Sequence, residues 1–299
     1  MGEVKMTGVL NVCKPSGFTS FDVIAKLRGI TKERKIGHAG TLDPMATGVL
    51  PVFLGKATRC ICFLPDTDKT YCADFALGKE SDTYDCSGKV VQSAHHTVTE
   101  QEVEQALATF QGEIVQLPPM YSAVKVNGKR LYEIARAGGQ VERKERKVLV
   151  HSLRLTAFDF SKQEGSFQIC CSSGTYIRTI CHDLGRVLQT GGIMTSLIRT
   201  RACGLVLENA HTLEEIQENQ GQIDRLLLPL ESVFLDYPRV VLNQRQTQMF
   251  CNGVKMDSKR IPSAIQEGLY RVYGQDTFLG IGNRCANGLF TAQRVLAER

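Results

Sequence analysis

With 299 residues, 42% of them hydrophobic and 22% charged, the chain has an ordinary globular composition, sufficient for one large domain and a small companion. No apolar run is long enough to span a bilayer, and the start MGEVKMTGVLNV has an early acid and no apolar stretch before a cleavage site, so neither a membrane span nor a secretory leader is expected and the cytoplasm is the expected location. A net charge of +5 admits a polyanionic partner without demanding one.

In chain order, GVLNVCKPSGFTSFDVIAKL reads as a strand, a Pro/Gly turn and a helix capped by Thr19 or Ser20, with Asp22 in its first turn. KLRGITKERK, residues 26–35, holds five bases and one acid. IGHAGTLDPMATGVLPV, residues 36–52, sets one acid, Asp43, among glycines, threonines and apolar residues. KTYCADFALG alternates as a strand and SDTYDCSG is a polar turn cluster. TEQEVEQALATF, 99–110, is an amphipathic helix with Thr99 as its cap. QLPPMYSAVKVNGKR is extended, with a hairpin turn signal at Asn127-Gly128, and LYEIARAGGQ is a short basic helix ending at Gly138-Gly139.

Residues 121–150 carry Lys125, Lys129, Arg130, Arg136, Arg143, Lys144, Arg146 and Lys147 against Glu133, Glu142 and Glu145, an excess equal to that of the whole chain. Such a stripe is either an electrostatic footprint for nucleic acid or a solvated face, and charge alone does not choose. SFQICCSSGTYIRTICHDLGRVL reads as strand, tight turn and helix, and TLEEIQENQ as another helix. Pro229 and Pro238 bracket a connection, after which GLYRVYGQDTFLGIG reads as a hairpin in a small β-rich domain at 238–299. Strands and helices do not alternate regularly and no G-x-G-x-x-G follows the first strand, so residues 1–237 read as a mixed α+β domain.

Several chemistries are excluded or disfavoured. GVLPVFLGKAT fails as a phosphate loop, because Leu50 stands where glycine is needed and Ala57 follows Lys56. The histidines at 38, 95, 96, 151, 182 and 211 form no H-E-x-x-H, and no serine occupies a G-x-S-x-G elbow that would make His182-Asp183 part of a triad; that pair reads as a helix-surface pair. Eleven cysteines, an odd number without C-x-x-C, read as reduced and mostly buried thiols. These spacings support neither metal catalysis nor hydrolysis of ATP or GTP. Asp43 is either a turn residue before Pro44 or a functional carboxylate: Gly37, Gly40 and Gly48 permit close approach, Thr41 and Thr47 supply hydroxyls, and Leu42, Met45, Val49 and Leu50 exclude water. A cation beside it would keep it ionised as a nucleophile or base.

GHAGTLDPMATGVLPV resembles the nucleophile motif of the tRNA pseudouridine-55 synthases, the TruB family. NVCKPSGFTSFDV, KTYCADFALGKESDTYDCSG, LPPMYSAVKVNGKRLYEIARAG and SSGTYIRTICHDLG are similar to further motifs in the family's order, covering about 9–205, and FLGIG is more weakly similar to the small PUA-type RNA-binding domain. The resemblance implies a mixed-sheet catalytic domain, 1–237, with an RNA-gripping thumb at about 121–150, followed by a PUA-like domain. It implies that Asp43 is the catalytic aspartate, that Tyr71 stacks on the target base and handles protons, and that Arg178 pairs with the aspartate. Tyr176 and Leu197 would hold the uridine, His38 would contact the rearranged T loop, and Lys14 and Pro15 would be supporting. SLIRTR departs from the pattern at Ile198, where many relatives carry a second arginine beside Arg199. The implied activity is isomerisation of uridine 55 in the T stem-loop of tRNA by a monomer without an obligate protein partner, and since that reaction involves no redox change, phosphate transfer or hydrolysis, no cofactor and no metal are expected. The eight bases at 125–147 would track its phosphates. The rival reading is a non-catalytic tRNA-binding or folding protein using the same surface.

Overall fold

The computed structural model describes residues 6–297 except 66, 94–95, 127 and 262–265; His95, Asn127 and the first five residues therefore lie outside the described residues. The chain opens with β1 (Gly8–Lys14), α1 (Ser20–Thr31), β2 (Ile36–His38) and β3 (Thr47–Leu54), then passes through 3₁₀ turns at Gly55–Phe63 into β4 (Lys69–Leu77). A ribbon of β5 (Lys79–Ser81) and β6 (Val90–Gln92) precedes α2 (Glu100–Ala108) and β7 (Gly112–Gln116). Next come β8 (Lys125–Val126), β9 (Lys129–Arg130), α3 (Leu131–Arg136), β10 (Arg146–Asp159), β11 (Glu164–Cys171), α4 (Ile177–Val187), β12 (Gly192–Ala202), β13 (Leu205–Val206) and α5 (Leu213–Glu218). The last part holds β14 (Arg239–Leu242), α6 (Gln244–Cys251), β15 (Met256–Asp257), β16 (Gly268–Gly274), β17 (Thr277–Arg284) and β18 (Leu289–Val295).

Local chemistry fixes several boundaries. Thr19, rather than Ser20, caps α1 in a reciprocal box with Asp22, and Thr99–Glu102 and Thr212–Glu215 do the same for α2 and α5. The main sheet runs β1-β3-β12-β4-β11-β10-β7, with β2 on β3 and β13 on β12. β3 and β12 form its parallel pair, with Gly48 opposite Arg199. A Cβ at Gly48 would stand 2.3 Å from the Arg199 carbonyl oxygen, and its φ of +97° suits glycine, so this residue is what lets the two strands meet.

Alternation in β4 directs Tyr71, Ala73 and Phe75 into a core shared with Val103 of α2 and Ile180 and Leu184 of α4. The apolar run of β3 is buried on both faces. Leu50, Val52 and Leu54 pack with Val23, Ile24 and Leu27 of α1, whereas Val49 and Phe53 pack with Leu230, Val233, Phe234 and Ile281 of the last sheet. That sheet runs β14-β16-β17-β18-β15 around its own core of Val240, Phe250, Val272 and Phe290. The fold is thus mixed α+β with a β-rich C-terminal unit. All eleven cysteines are free, but only Cys60, Cys171, Cys181 and Cys203 are buried, because most of the others sit on half-covered strands or turns.

Candidate active site

Asp43 lies in the loop between β2 and β3, a segment anchored from two sides. From the β1–α1 connection, the Gly17 amide donates to the Pro44 carbonyl, Ser16 Oγ to that of Met45, and the Leu42 amide donates to Ser20 Oγ at 2.9 Å. Lys14, fully buried, donates to the carbonyls of Pro15, Phe18 and Pro44. Burial lowers its pKa to about 8, which the nearby Asp43 carboxylate resists. From the opposite side, buried Arg199 donates through Nε to the Val49 carbonyl and through Nη2 to that of Gly40. The Lys-Pro motif and Arg199 therefore hold the Asp43 loop in shape.

Arg178 projects from the first turn of α4. Its Nε is 2.9 Å from Asp43 Oδ2 and its Nη2 donates to Asp43 Oδ1 at 3.2 Å, a two-point pairing. Nη2 also donates to the Tyr121 carbonyl, and Nη1 donates to the Thr83 carbonyl and, at 3.4 Å, to Asp85 Oδ2. Asp85 is itself buried and accepts from Thr83 Oγ1 and the Ser87 amide. Sequence reading left Asp85 inside a polar turn; its only signal there was a second acid in SDTYDCSG. Asp43 is open to solvent along one side, with 35% of its side chain exposed, and enclosed on the others. That enclosure raises its pKa; Arg178 and Lys14 oppose the rise and Asp85 adds to it.

Tyr71, on β4, is buried at 7% exposure in the same cluster as Leu42 and Leu197 of β12, with Met45 packed against it. Burial pushes its phenol up to about 12, against the pull of Arg199. Val49 and Leu50, expected to shelter Asp43, belong to other clusters, because β3 has already turned them toward its two faces. His38 ends β2, half-buried; burial and then Arg199 lower its pKa, leaving a neutral imidazole at neutral pH. Tyr176 precedes α4, and buried Gln116 holds its backbone on both sides, accepting from its amide at 2.9 Å and donating to its carbonyl. Gln116 was invisible in sequence, since its contact spans 60 residues.

His182 is half-buried and stacks on Tyr84 at 3.9 Å, while Asp183 pairs with Arg186, so the two residues face different neighbours. Ile198 is 37% exposed. The basic stripe leaves the main sheet between neighbouring strands β7 and β10. Lys125, Lys129, Arg130, Arg136 and Lys144 are exposed; Arg130 donates to the Tyr132 hydroxyl. Arg143 donates to the Pro118 carbonyl, while Arg146 and Lys147 lie on β10 with Lys147 paired to Glu113 at 2.8 Å.

Residues 28–177 match the model of the TruB family pseudouridylate synthase N-terminal domain. Residues 178–235 match the tRNA pseudouridylate synthase B C-terminal domain, and 238–296 the pseudouridine synthase II TruB C-terminal model. The chain belongs to the TruB family of pseudouridylate synthases. It is 40% identical to the tRNA pseudouridine synthase B of Clostridium tetani over 285 residues, 95% of this chain and 97% of that one. It is 40% identical to the synthase of the same name from Clostridium perfringens strain SM101 over 298 residues, 98% and 100% of the two chains. The fold also matches an H/ACA RNP bound to a substrate RNA containing 2′-deoxyuridine, with TM-score 0.74, 24% identity and coverage of 98% and 86%. A Cbf5-Nop10-Gar1 complex aligns with TM-score 0.72, 25% identity and coverage of 98% and 84%. This family's members are isomerases that act on RNA.

Proposed function

We propose that this chain converts uridine 55 to pseudouridine in the T loop of tRNA, with Asp43 as the reacting carboxylate. The observation that carries the proposal is the two-point Arg178–Asp43 pair beside the apolar cluster that holds Leu42, Tyr71 and Leu197. The reaction breaks the N1–C1′ bond and joins C1′ to C5, with the C5 proton leaving and N1 gaining one. An ionised carboxylate serves each route to that outcome: attack at C1′, removal of a ribose proton, or attack at C6. Arg178 keeps Asp43 ionised despite its enclosure and fixes its direction.

A base cannot react while stacked, so the uridine is extruded, as in other enzymes that act on nucleobases. Tyr71 and Leu197 form the apolar wall for the uracil, Tyr176 borders the entrance, and neutral His38 faces the rearranged loop. Tyr71 remains a protonated phenol, able to donate to a developing negative oxygen or relay a proton. Phosphates of the T arm lie along Lys125, Lys129, Arg130, Arg136, Lys144 and Arg146, with Arg143 and Lys147 beside them engaged by the Pro118 carbonyl and Glu113. Because phosphate contacts carry no base identity, loop shape selects the substrate.

The same reading treats 1–237 as the catalytic unit and 238–299 as a PUA-like RNA-binding unit, supported by the separate sheet and core of the latter. It has the chain acting as a cytoplasmic monomer without an obligate protein partner. Among the described residues no helix is long and apolar enough to cross a membrane.

Incubation with a T stem-loop RNA, followed by chemical mapping of pseudouridine, tests the activity. Asp43→Asn abolishes isomerisation and leaves RNA affinity within about a few fold, since the substitution removes the carboxylate but keeps the shape. Turnover near that of the unaltered chain would overturn the assignment. Retained binding without any pseudouridine in the unaltered chain would favour the folding-helper reading.

A further inference from the structure

We infer that the outer face of α1 is a second RNA track, at the end of the main sheet opposite the thumb, holding backbone phosphates with one unstacked base against Phe21. The inference rests on the reading of this chain as a synthase that extrudes a base from RNA.

Phe21, Ala25 and Arg28 recur at i, i+4 and i+7, so they form one exposed stripe, with Lys26 beside it and exposed Lys32 at the left-handed cap that ends the helix. The opposite face of the helix, Val23, Ile24, Leu27 and Ile30, is buried on β1 and β3, which fixes the direction of the stripe. Phe21 is 66% exposed although it is a large apolar ring. The Arg28 guanidinium lies 5.8 Å from its centroid, and Lys26 Nζ is 6.0 Å from the ring of Phe18. Arg34 and Lys35 continue the exposed cations past the helix end. Among the described residues no carboxylate ion pair involves any of these five bases. Unneutralised cations interleaved with an exposed aromatic ring suit a single-stranded polyanion whose bases can stack.

Position ties the stripe to the reaction. Ser20, next to Phe21, accepts from the Leu42 amide, so the start of α1 is bound directly to the loop that carries Asp43. From Phe21 to Thr31 the helix rises about 15 Å. The thumb leaves from β7 and β10, at the other end of the strand order, four inter-strand steps from β3, which is on the order of 20 Å. An RNA gripped by the thumb with one nucleotide placed at Asp43 must continue on one side or the other. The stripe is the charged path away from the thumb.

The test compares RNA affinity across a salt series for the unaltered chain and for Lys26→Gln, Arg28→Gln and Lys32→Gln combined, using a full-length tRNA transcript. Three lost phosphate contacts make the slope of log affinity against log salt shallower by about 2. The charge-retaining pair Arg28→Lys and Lys32→Arg keeps the slope, which separates charge from helix damage. Phe21→Ala weakens binding at least about fivefold and Phe21→Tyr does not. An unchanged salt slope in the triple variant, or equal affinities for Phe21→Ala and Phe21→Tyr, overturns the inference. Pseudouridine formation by the unaltered chain is scored separately. Its absence would sink the synthase reading while the binding comparison still decides whether RNA uses the stripe.

Discussion

Arg178 makes five polar contacts with two carboxylates and two backbone carbonyls. A guanidinium so fully engaged is a fixed electrostatic fixture rather than a mobile counter-ion. Asp43 needs such a fixture because its surroundings favour the protonated acid. The sign of the pH dependence follows. In the proposed reaction the ionised form acts, and its pKa is raised, so the rate is expected to fall as pH drops through a value above the ordinary 3.8. Asp85→Asn removes a like charge from beside Asp43 and moves this acid limb to lower pH. Single-turnover rates across a pH series check the shift, and a limb that stays in place would deny Asp85 any electrostatic hold on Asp43. Neither the pair nor Asp85 can be read from local sequence, because Arg178 and Asp43 stand 135 positions apart. What was legible was an acid, Asp43, in a setting that gives acids little solvation.

The secondary-structure elements divide by how local their causes are. α2 begins at the expected Thr99 and α1 at Thr19, one of the two expected caps, while α5 is capped by Thr212 in the same way, because a capping box uses only residues three apart. The basic stripe behaved differently. Its charge was plain in sequence, but antiparallel pairing placed Arg146 and Lys147 on β10, and the body of the protein holds Arg143 and Lys147. Exposed Lys144 and Arg146 are thus the freer pair. Replacing these two with glutamine flattens the salt dependence of tRNA binding nearly as much as replacing them together with Arg143 and Lys147. A much larger effect of the fourfold variant would return the two engaged bases to the interface.

At the scale of the whole molecule, the C-terminal sheet is joined to the main body through a shared apolar seam. Leu230, Val233 and Phe234 pack with Phe53 on one side and Ile281 on the other. The Tyr237 hydroxyl donates to the Phe63 carbonyl, and Arg271 Nε donates to the Tyr237 carbonyl. Pro229 and Pro238 therefore bracket a packed joint rather than a free linker. Phe234→Ala, which empties the middle of that joint, costs about 3–5 kcal/mol, seen as a lower denaturant midpoint in a single transition. Separate transitions for the two sheets would show that the seam does not couple them. By itself the sequence determined the helix starts, the alternating strands, the excess of positive charge and the sheltered setting of Asp43. These depend on contacts between near neighbours and on composition. Strand order, the parallel pairing of β3 with β12 at Gly48, the second carboxylate on Arg178 and the burial of Arg199 were decided only by the tertiary structure. Each brings together residues far apart in the chain, and it is packing against the rest of the molecule, not local preference, that sets which of them meet.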